Sequence, residues 1–346
     1  METFYQENKN FAVIDLGLNV FRFRQTYQKD RLRFDTDIML NTLWVENLRK
    51  ELSFQQTAHP NVWIGINMEY IHSCQDREAF TNFTKSMQNP SKVFFYNILS
   101  DSLMAERMTS DLESAGGTPE IDCENGILYL AKPSDIDGKD LLNQCERIVQ
   151  SKLEDSVRKL VSPQDPLELL ASSNIYADHY VNVKRLFMNP DELYLIIYYM
   201  SRYLMKIDQD YQGLVASSKN GAVLAALLGR MIGKDVVYCV NVGPQYALPI
   251  DAAECIQSGK KYVYVCDFIC MGTEVKLLHA VISNRKAILA NGIGVANYIP
   301  LDNLELEEKH SPLARMYCLV DLLSAKIPYN VYLKRDVSGP KVLKAQ

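Results

Sequence analysis

The chain predicts an α/β protein in two parts: a parallel sheet flanked by helices in the C-terminal half, preceded by a smaller α/β or α+β domain. Three observations predict it. At 346 residues the chain exceeds the roughly 250–300 that one hydrophobic core usually holds. From residue 166 onward short apolar runs alternate with helix-period segments, as in a parallel sheet with right-handed crossovers. Within that half, residues 262–274 read Tyr-Val-Tyr-Val-Cys-Asp-Phe-Ile-Cys-Met-Gly-Thr-Glu: a buried strand, a loop with one glycine and a first helical turn.

Composition narrows the functional classes. With 47% hydrophobic and 23% charged residues the chain is an ordinary globular one. A net charge of -5 argues against a general nucleic-acid or anionic-membrane surface. No run of about 18 apolar residues exists, so no membrane span is expected. The first eight residues have neither a basic start nor an apolar core, so no signal peptide and a cytoplasmic protein are expected. The eight cysteines are scattered without a Cys-x-x-Cys pair. They read as buried thiols in a reducing compartment, with no metal site.

Residues 1–135 form the first expected domain. Residues 11–23 read as a long β-like run broken by Gly17, and 38–52 as a helix. Residues 62–66 and 93–98 are apolar enough for buried strands, and a helix capped by Ser100 or Asp101 runs to about Leu112. Asn125-Gly126 between two apolar runs signals a hairpin. Arg22, Arg24, Lys29, Arg31 and Arg33, interleaved with Phe21, Phe23 and Phe34, read as a solvated hairpin face. Their alternative is a contact surface for a nucleic acid or protein partner. Asp15-Leu16-Gly17-Leu18-Asn19 reads as a strand with a bulge glycine rather than a phosphate loop. His72 and Cys74 share a strand face without further metal ligands.

Residues 136–165 form a helical connector, with a charged helix over 139–160 ended by the Pro163 and Pro166 segment. Residues 166–346 form the second domain. It runs through a helix over 191–207, a strand over 213–216, a loop over 217–220 and a small-residue helix over 221–232 that Gly233 ends. A strand over 236–240, an irregular stretch over 241–259, the 262–274 motif with its helix, and a last strand over 287–295 follow. In such sheets ligands bind beyond the carboxyl ends of the strands, where both loops of interest lie.

The 262–274 motif puts free backbone N–H groups and the positive end of a helix dipole where a phosphate can sit. It resembles the phosphoribosyl-diphosphate (PRPP) loop of type I phosphoribosyltransferases, keeping the strand, Asp267, Ile269, Gly272 and Thr273. Cys266 replaces that family's first acid, and Cys270 and Met271 replace two cradle hydroxyls. The resemblance extends over residues 166–300 and is closest to orotate phosphoribosyltransferases. Tyr180-Val181-Asn182-Val183-Lys184-Arg185-Leu186 with Pro190 is similar to one segment of that family, and Ser217-Ser218-Lys219-Asn220-Gly221 to its pyrophosphate loop, with one extra residue between lysine and glycine.

The resemblance implies a phosphorylated ribose ligand, with Mg²⁺ accompanying PRPP, and a homodimer. Asp267 would hold the ribose hydroxyls and Lys219 the leaving pyrophosphate, as the two catalytic groups. Phe268, Cys270, Met271, Gly272, Thr273 and Glu274 would line the phosphate and ribose seat. Ser217, Ser218, Lys219, Asn220 and Gly221 would face pyrophosphate, with Gly221 admitting a close backbone approach. No Lys or Arg lies between Lys234 and Lys260, where the family brings cations to the leaving group. Losing even one oriented charge-stabilising donor costs about 3–4 kcal/mol of barrier. The leading expectation is therefore a regulatory or assembly module, a role with precedents in the family including stress and defence operons. An active Mg²⁺-dependent transferase or ribosyl hydrolase, and a scaffold with an empty pocket working through residues 1–135, are the alternatives.

Overall fold

A computed structural model describes residues 1–8, 10–27, 38–74, 77–85, 92–98, 106, 109–110, 113, 118–131, 137–170, 175–207, 210–239, 255–299, 312–333 and 341–343. They divide into two compact units, one ending at Lys152 and one starting at Leu153. Among the described residues no helix is long and apolar enough to cross a membrane.

The first unit contains β1 (Phe4–Tyr5), β2 (Phe11–Asp15), α1 (Leu16–Tyr27), β3 (Ile38–Leu40), α2 (Thr42–Ala58) and β4 (Trp63–Asn67). After these come β5 (Ile71–Cys74), α3 (Arg77–Lys85), β6 (Val93–Tyr96), β7 (Glu120–Asp122), β8 (Ile127–Tyr129) and most of α4 (Gly138–Arg158). Its sheet has the order β1-β2-β4-β6-β8-β7, parallel across β2, β4 and β6 and antiparallel at both flanks. The apolar residues of β2, β4 and β6 are buried on both faces, as the continuous hydrophobic runs require. The hairpin at Asn125-Gly126 forms, with Gly126 at φ +63°.

Two sequence expectations fail here, both at helix starts. Residues 11–23 are a strand followed by a helix, and Gly17 lies in the first turn of α1 rather than in a strand bulge. The reason is Asp15, whose side chain accepts the Leu18 N–H at 2.9 Å while its carbonyl accepts from Asn19. An acid placed to satisfy an orphan donor starts a helix whatever the apolar pattern that follows. Residues 38–40 are a strand, and α2 starts only at Thr42, because the Asn41 side chain accepts the Trp44 N–H. The basic cluster accordingly sits on a helix as far as Arg22 and Arg24, where Arg22 pairs with Glu2. Lys29, Arg31, Arg33, Phe34, the side chains of His72 and Cys74, and most of the helix expected after Ser100 lie outside the described residues.

The three parallel strands end in a polar chain that runs from the buried Asp15 and Asn67 out to the exposed Asn97. Asp15 and Asn67 are 1% and 2% exposed. Asn67 Nδ2 donates to Asp15 Oδ2 at 3.0 Å, and Asn97 Nδ2 donates to Asn67 Oδ1 at 2.9 Å. Burial, with the Asp15 charge adding to it, pushes the Tyr70 phenol up to about 12. Asp15→Ala strands the Leu18 and Asn67 donors and is expected to destabilise the first unit by about 3 kcal/mol. Urea unfolding followed by circular dichroism reads this, and an unchanged midpoint would show the chain to be ornamental.

The second unit takes the end of α4, then β9 (Val161–Leu170), β10 (Ile175–Val181), α5 (Lys184–Met188), α6 (Pro190–Lys206), β11 (Gly213–Ala216) and α7 (Lys219–Ile232). It continues with β12 (Asp235–Tyr238), β13 (Lys261–Ile269), α8 (Thr273–Asn284), β14 (Ile288–Asn297), a 3₁₀ turn (Pro312–Arg315), β15 (Met316–Asp321), β16 (Val331–Leu333) and β17 (Lys341–Leu343). The main sheet is parallel throughout, in the order β12-β11-β13-β14-β15. A second, antiparallel sheet has the order β17-β16-β10-β9.

The strand over 287–295 is thus not the last. The helix expected to end ahead of Pro163 and Pro166 does so, at Arg158, and the proline segment itself is a strand, tolerated because β9 is an edge and a proline there forfeits no ladder bond the sheet needs. Chain order reverses between β11 and β13, with β12 on one side and β14 and β15 on the other. In open parallel sheets such a reversal is where a ligand crevice forms, at the carboxyl ends of the strands.

Candidate functional site

Two loops meet over this reversal. β11 ends at Ala216, and Ser217 and Ser218 turn the chain directly into α7, so Lys219, Asn220 and Gly221 belong to the helix rather than to a loop. The Ser218 side chain makes the turn short. Its hydroxyl accepts the Gly221 N–H at 2.9 Å as the helix cap and donates to Asp267 Oδ1 at 2.9 Å. Asn220 Nδ2 donates to Asp267 Oδ2 at 2.8 Å. Both oxygens of the Asp267 carboxylate are therefore held from the cap and first turn of α7, and each has a second lone pair.

Gly221 makes its close approach to protein. A Cβ there would stand 2.9 Å from the Val265 carbonyl oxygen and 3.3 Å from Cys266 Cα, so the glycine lets α7 lie against β13. Lys219 is exposed at the start of α7 and makes no ion pair among the described residues.

On the β13 side, Gly272 takes φ +68° and caps α8 with no side-chain acceptor. Its backbone conformation is the left-handed one a glycine adopts freely. Leu313 packs on its other side, with Cδ2 2.6 Å from where a Cβ would stand. Cys270 is turned inward, where burial pushes its thiol up to about 12 and the Tyr329 hydroxyl points at its sulfur at 4.0 Å. Phe268 meets Tyr329 edge to face, ring centres 5.1 Å apart. Cys270 can therefore offer the loop only its backbone. Met271 and Thr273 are partly exposed.

Cys266, at the position of the missing acid, faces the core. Its thiol and that of Cys318 lie 2.9 and 2.8 Å from where a Gly294 side chain would begin, and burial raises both well above an ordinary thiol. Glu274 stands in the first turn of α8, and the Ser217 hydroxyl lies 2.8 Å from the buried Tyr264 hydroxyl. Burial, with the Asp267 charge next in weight, pushes the Glu274 carboxyl up to about 7, against the lowering effect of Ser217.

The arrangement can hold a diol on Asp267 and an anion on the α8 N-terminus, and can exchange a proton near neutral pH at Glu274. Sequence reading missed the roles of Tyr264, Ser217 as a bridge, Leu313 and Tyr329. Leu313 and Tyr329 are more than 40 residues from Gly272 and Phe268, respectively, and carry no motif, so no local signal marks them. Residues 241–254 of the expected irregular stretch lie outside the described residues.

Several solved structures are similar to the chain. The adenine phosphoribosyltransferase of Thermoanaerobacter pseudethanolicus is 12% identical, covering 49% of this chain and 99% of that one at a TM-score of 0.38. Orotate phosphoribosyltransferase from Aeropyrum pernix is 15% identical over 51% of this chain and 96% of its own, at 0.37. Leishmania donovani UMP synthase is 10% identical over 89% of this chain and 60% of its own, at 0.39. No family model and no curated protein matches the chain. Each of these likenesses concerns fold alone.

Proposed function

We propose that the chain binds a phosphorylated ribose ligand, PRPP or a nucleotide, in the crevice between β11 and β13, with ribosyl transfer weak or absent. The observation that carries this reading is the doubly held Asp267 carboxylate at the sheet's reversal point. A carboxylate fixed by two donors before any ligand arrives can take ribose hydroxyls without reorganising. Beside it, the uncapped start of α8 supplies N–H donors for the 5′-phosphate.

Weak catalysis follows from what surrounds the seat. Residues 235–259 contribute no Lys or Arg to take charge from a leaving pyrophosphate, and Lys219 is the one cation at the mouth's first helical turn. Among the described residues no group of three or more His, Cys, Asp or Glu side chains is placed to hold a metal. Mg²⁺ would then arrive on the diphosphate itself, which suits its preference for substrate phosphates and water over protein cages. The module would thus sense or assemble in response to its ligand.

Calorimetric titration with PRPP, with nucleoside 5′-monophosphates and with free ribose, each with and without Mg²⁺, tests this. Saturable binding of a phosphorylated compound, clearly tighter than that of ribose, is expected. Heat traces flat for every phosphorylated compound would refute it. Turnover of PRPP with a base at ordinary enzyme rates would instead favour the active transferase.

A further inference from the structure

We infer that Cys266 and Cys318 together bind a soft monovalent cation such as Cu⁺, held between their sulfurs across the glycine of the strand that separates them.

The register of the main sheet lines up two rows of residues. Cys266 of β13, Gly294 of β14 and Cys318 of β15 are partners in one row, and Tyr264, Gly292 and Met316 in the next. Residues paired across a sheet share a face, as do residues two apart along a strand, so both rows belong to one face. At the centre of the first row Gly294 has no side chain, and both thiols lean over it. Cys318 Sγ lies 2.8 Å and Cys266 Sγ 2.9 Å from where a Cβ would stand. The two sulfurs are therefore no farther apart than the sum of those distances. A linear sulfur–metal–sulfur unit with bonds of about 2.3 Å spans about 4.6 Å, which falls within that limit. In the second row the Met316 thioether fills the place of a Gly292 side chain, so a third sulfur adjoins the pair. Tyr264 brings the oxygen of these rows, and its hydroxyl is engaged with Ser217 at 2.8 Å.

This donor set selects its ion. Mg²⁺ and Ca²⁺ need several oxygens, and structural Zn²⁺ takes four ligands. Two thiolates with a thioether beside them suit Cu⁺, whose softness favours sulfur. Disulfide formation does not compete for the thiols. Cys266 and Cys318 stand on strands separated by β14, so their Cα atoms are two strand spacings apart, about 9.5 Å, beyond the roughly 7 Å that a disulfide bridges. Cys266 also gives up little on binding, since its S–H reaches the Ile293 carbonyl only at 3.7 Å. Each thiol releases its proton to solvent and each sulfur donates an electron pair to the ion, with no change of oxidation state. Cys266 is 1% exposed, whereas Cys318 is partly exposed on β15 at the end of the sheet order, which gives the ion its way in.

The test is titration of the reduced full chain with Cu⁺ against the chromogenic chelator bicinchoninate, in a background with Cys74, Cys123 and Cys255 replaced by serine. Cys123 and Cys255 are exposed, and the Cys74 side chain lies outside the described residues. The background protein is expected to withhold one equivalent of Cu⁺ and to melt at a higher temperature with it, since an ion held by the folded state stabilises that state. X-ray absorption should show two or three sulfur neighbours at about 2.3 Å. Cys266→Ala and Cys318→Ala should each hold the ion at least about 100-fold more weakly, beyond the 10–100-fold typical of losing an outer-shell partner. Zn²⁺ should leave the melting temperature where it is. Copper left wholly to the chelator, copper retained by both alanine variants, nitrogen or oxygen neighbours in the X-ray spectrum, or Zn²⁺ bound as tightly as Cu⁺ would each overturn the inference. Should an alanine variant fail to fold, the X-ray spectrum and melting shift of the background protein decide.

Discussion

Asp267→Asn is expected to weaken PRPP binding about 100-fold or more while leaving the second unit folded. The carboxylate now accepts from Ser218 Oγ at 2.9 Å and from Asn220 Nδ2 at 2.8 Å. An amide in its place can satisfy one of these donors and must turn its own NH₂ toward the other. It also offers ribose hydroxyls a neutral acceptor in place of a charged one. Hydrogen bonds to charged groups contribute about 1.5–3 kcal/mol each, so losing two ligand contacts of this kind amounts to 3 kcal/mol or more. The side chain is only partly buried, so the melting temperature should move by a few degrees at most. Calorimetry and thermal unfolding read the two effects separately. Unaltered affinity would move the ribose away from Asp267.

Gly272→Ala is expected to act the other way, through the fold. The left-handed φ of +68° costs an alanine about 1–2 kcal/mol. The new methyl would also have to displace Leu313, whose Cγ, Cδ1 and Cδ2 all lie within 3.1 Å of its position. Leu313 is buried in the cluster with Val275, Leu278 and Ile282, so it has little room to give. Overpacking of this kind typically adds 1–3 kcal/mol. A total of about 3 kcal/mol corresponds to a melting shift of roughly 6–12 °C for a unit of this size. Differential scanning calorimetry reads it; a shift under 2 °C would mean that Leu313 swings aside freely. Because of that contact, a bulky residue at 272 unfolds the seat rather than merely blocking it, which makes Asp267 the cleaner probe of binding.

The exposed Lys219 and the cation-free stretch over 235–259 bear on the same question from the other side. A ribose and phosphate seat needs one fixed carboxylate and one helix start, both local. A transferase needs in addition several cations brought together around a leaving group. For the first, the proposed seat draws on Asp267 and the start of α8; for the second, residues 235–259 supply no Lys or Arg.

Much of the second unit was legible in the chain itself. Buried strands at 213–216 and 261–269, each running into a helix, follow from apolar runs that stop at polar turn residues, and the left-handed glycines at 233 and 272 end or begin their helices as expected. The hairpin at Asn125-Gly126 was legible for the same reason, since its turn chemistry is contained in two residues. Elements failed where one side chain outweighed a periodic pattern. Asp15 converts an apparent strand into a helix start, and Asn41 delays another helix by four residues. Pro163 and Pro166 follow the end of α4 as expected, yet sit within β9, because an edge strand does not require the N–H that proline lacks.

By itself, then, the sequence determined the alternation of strand and helix, the position of the glycine before α8 and the identity of the acid near the end of β13, because each depends on neighbours along the chain. Only the tertiary structure decided that Ser218 and Asn220 clamp that acid, that Ser217 meets Tyr264, and that Leu313 lies on Gly272. Those partners lie roughly 40–60 residues apart. Strand order and the packing of helices on the sheet bring them within contact, and burial sets their charge; no local pattern encodes either.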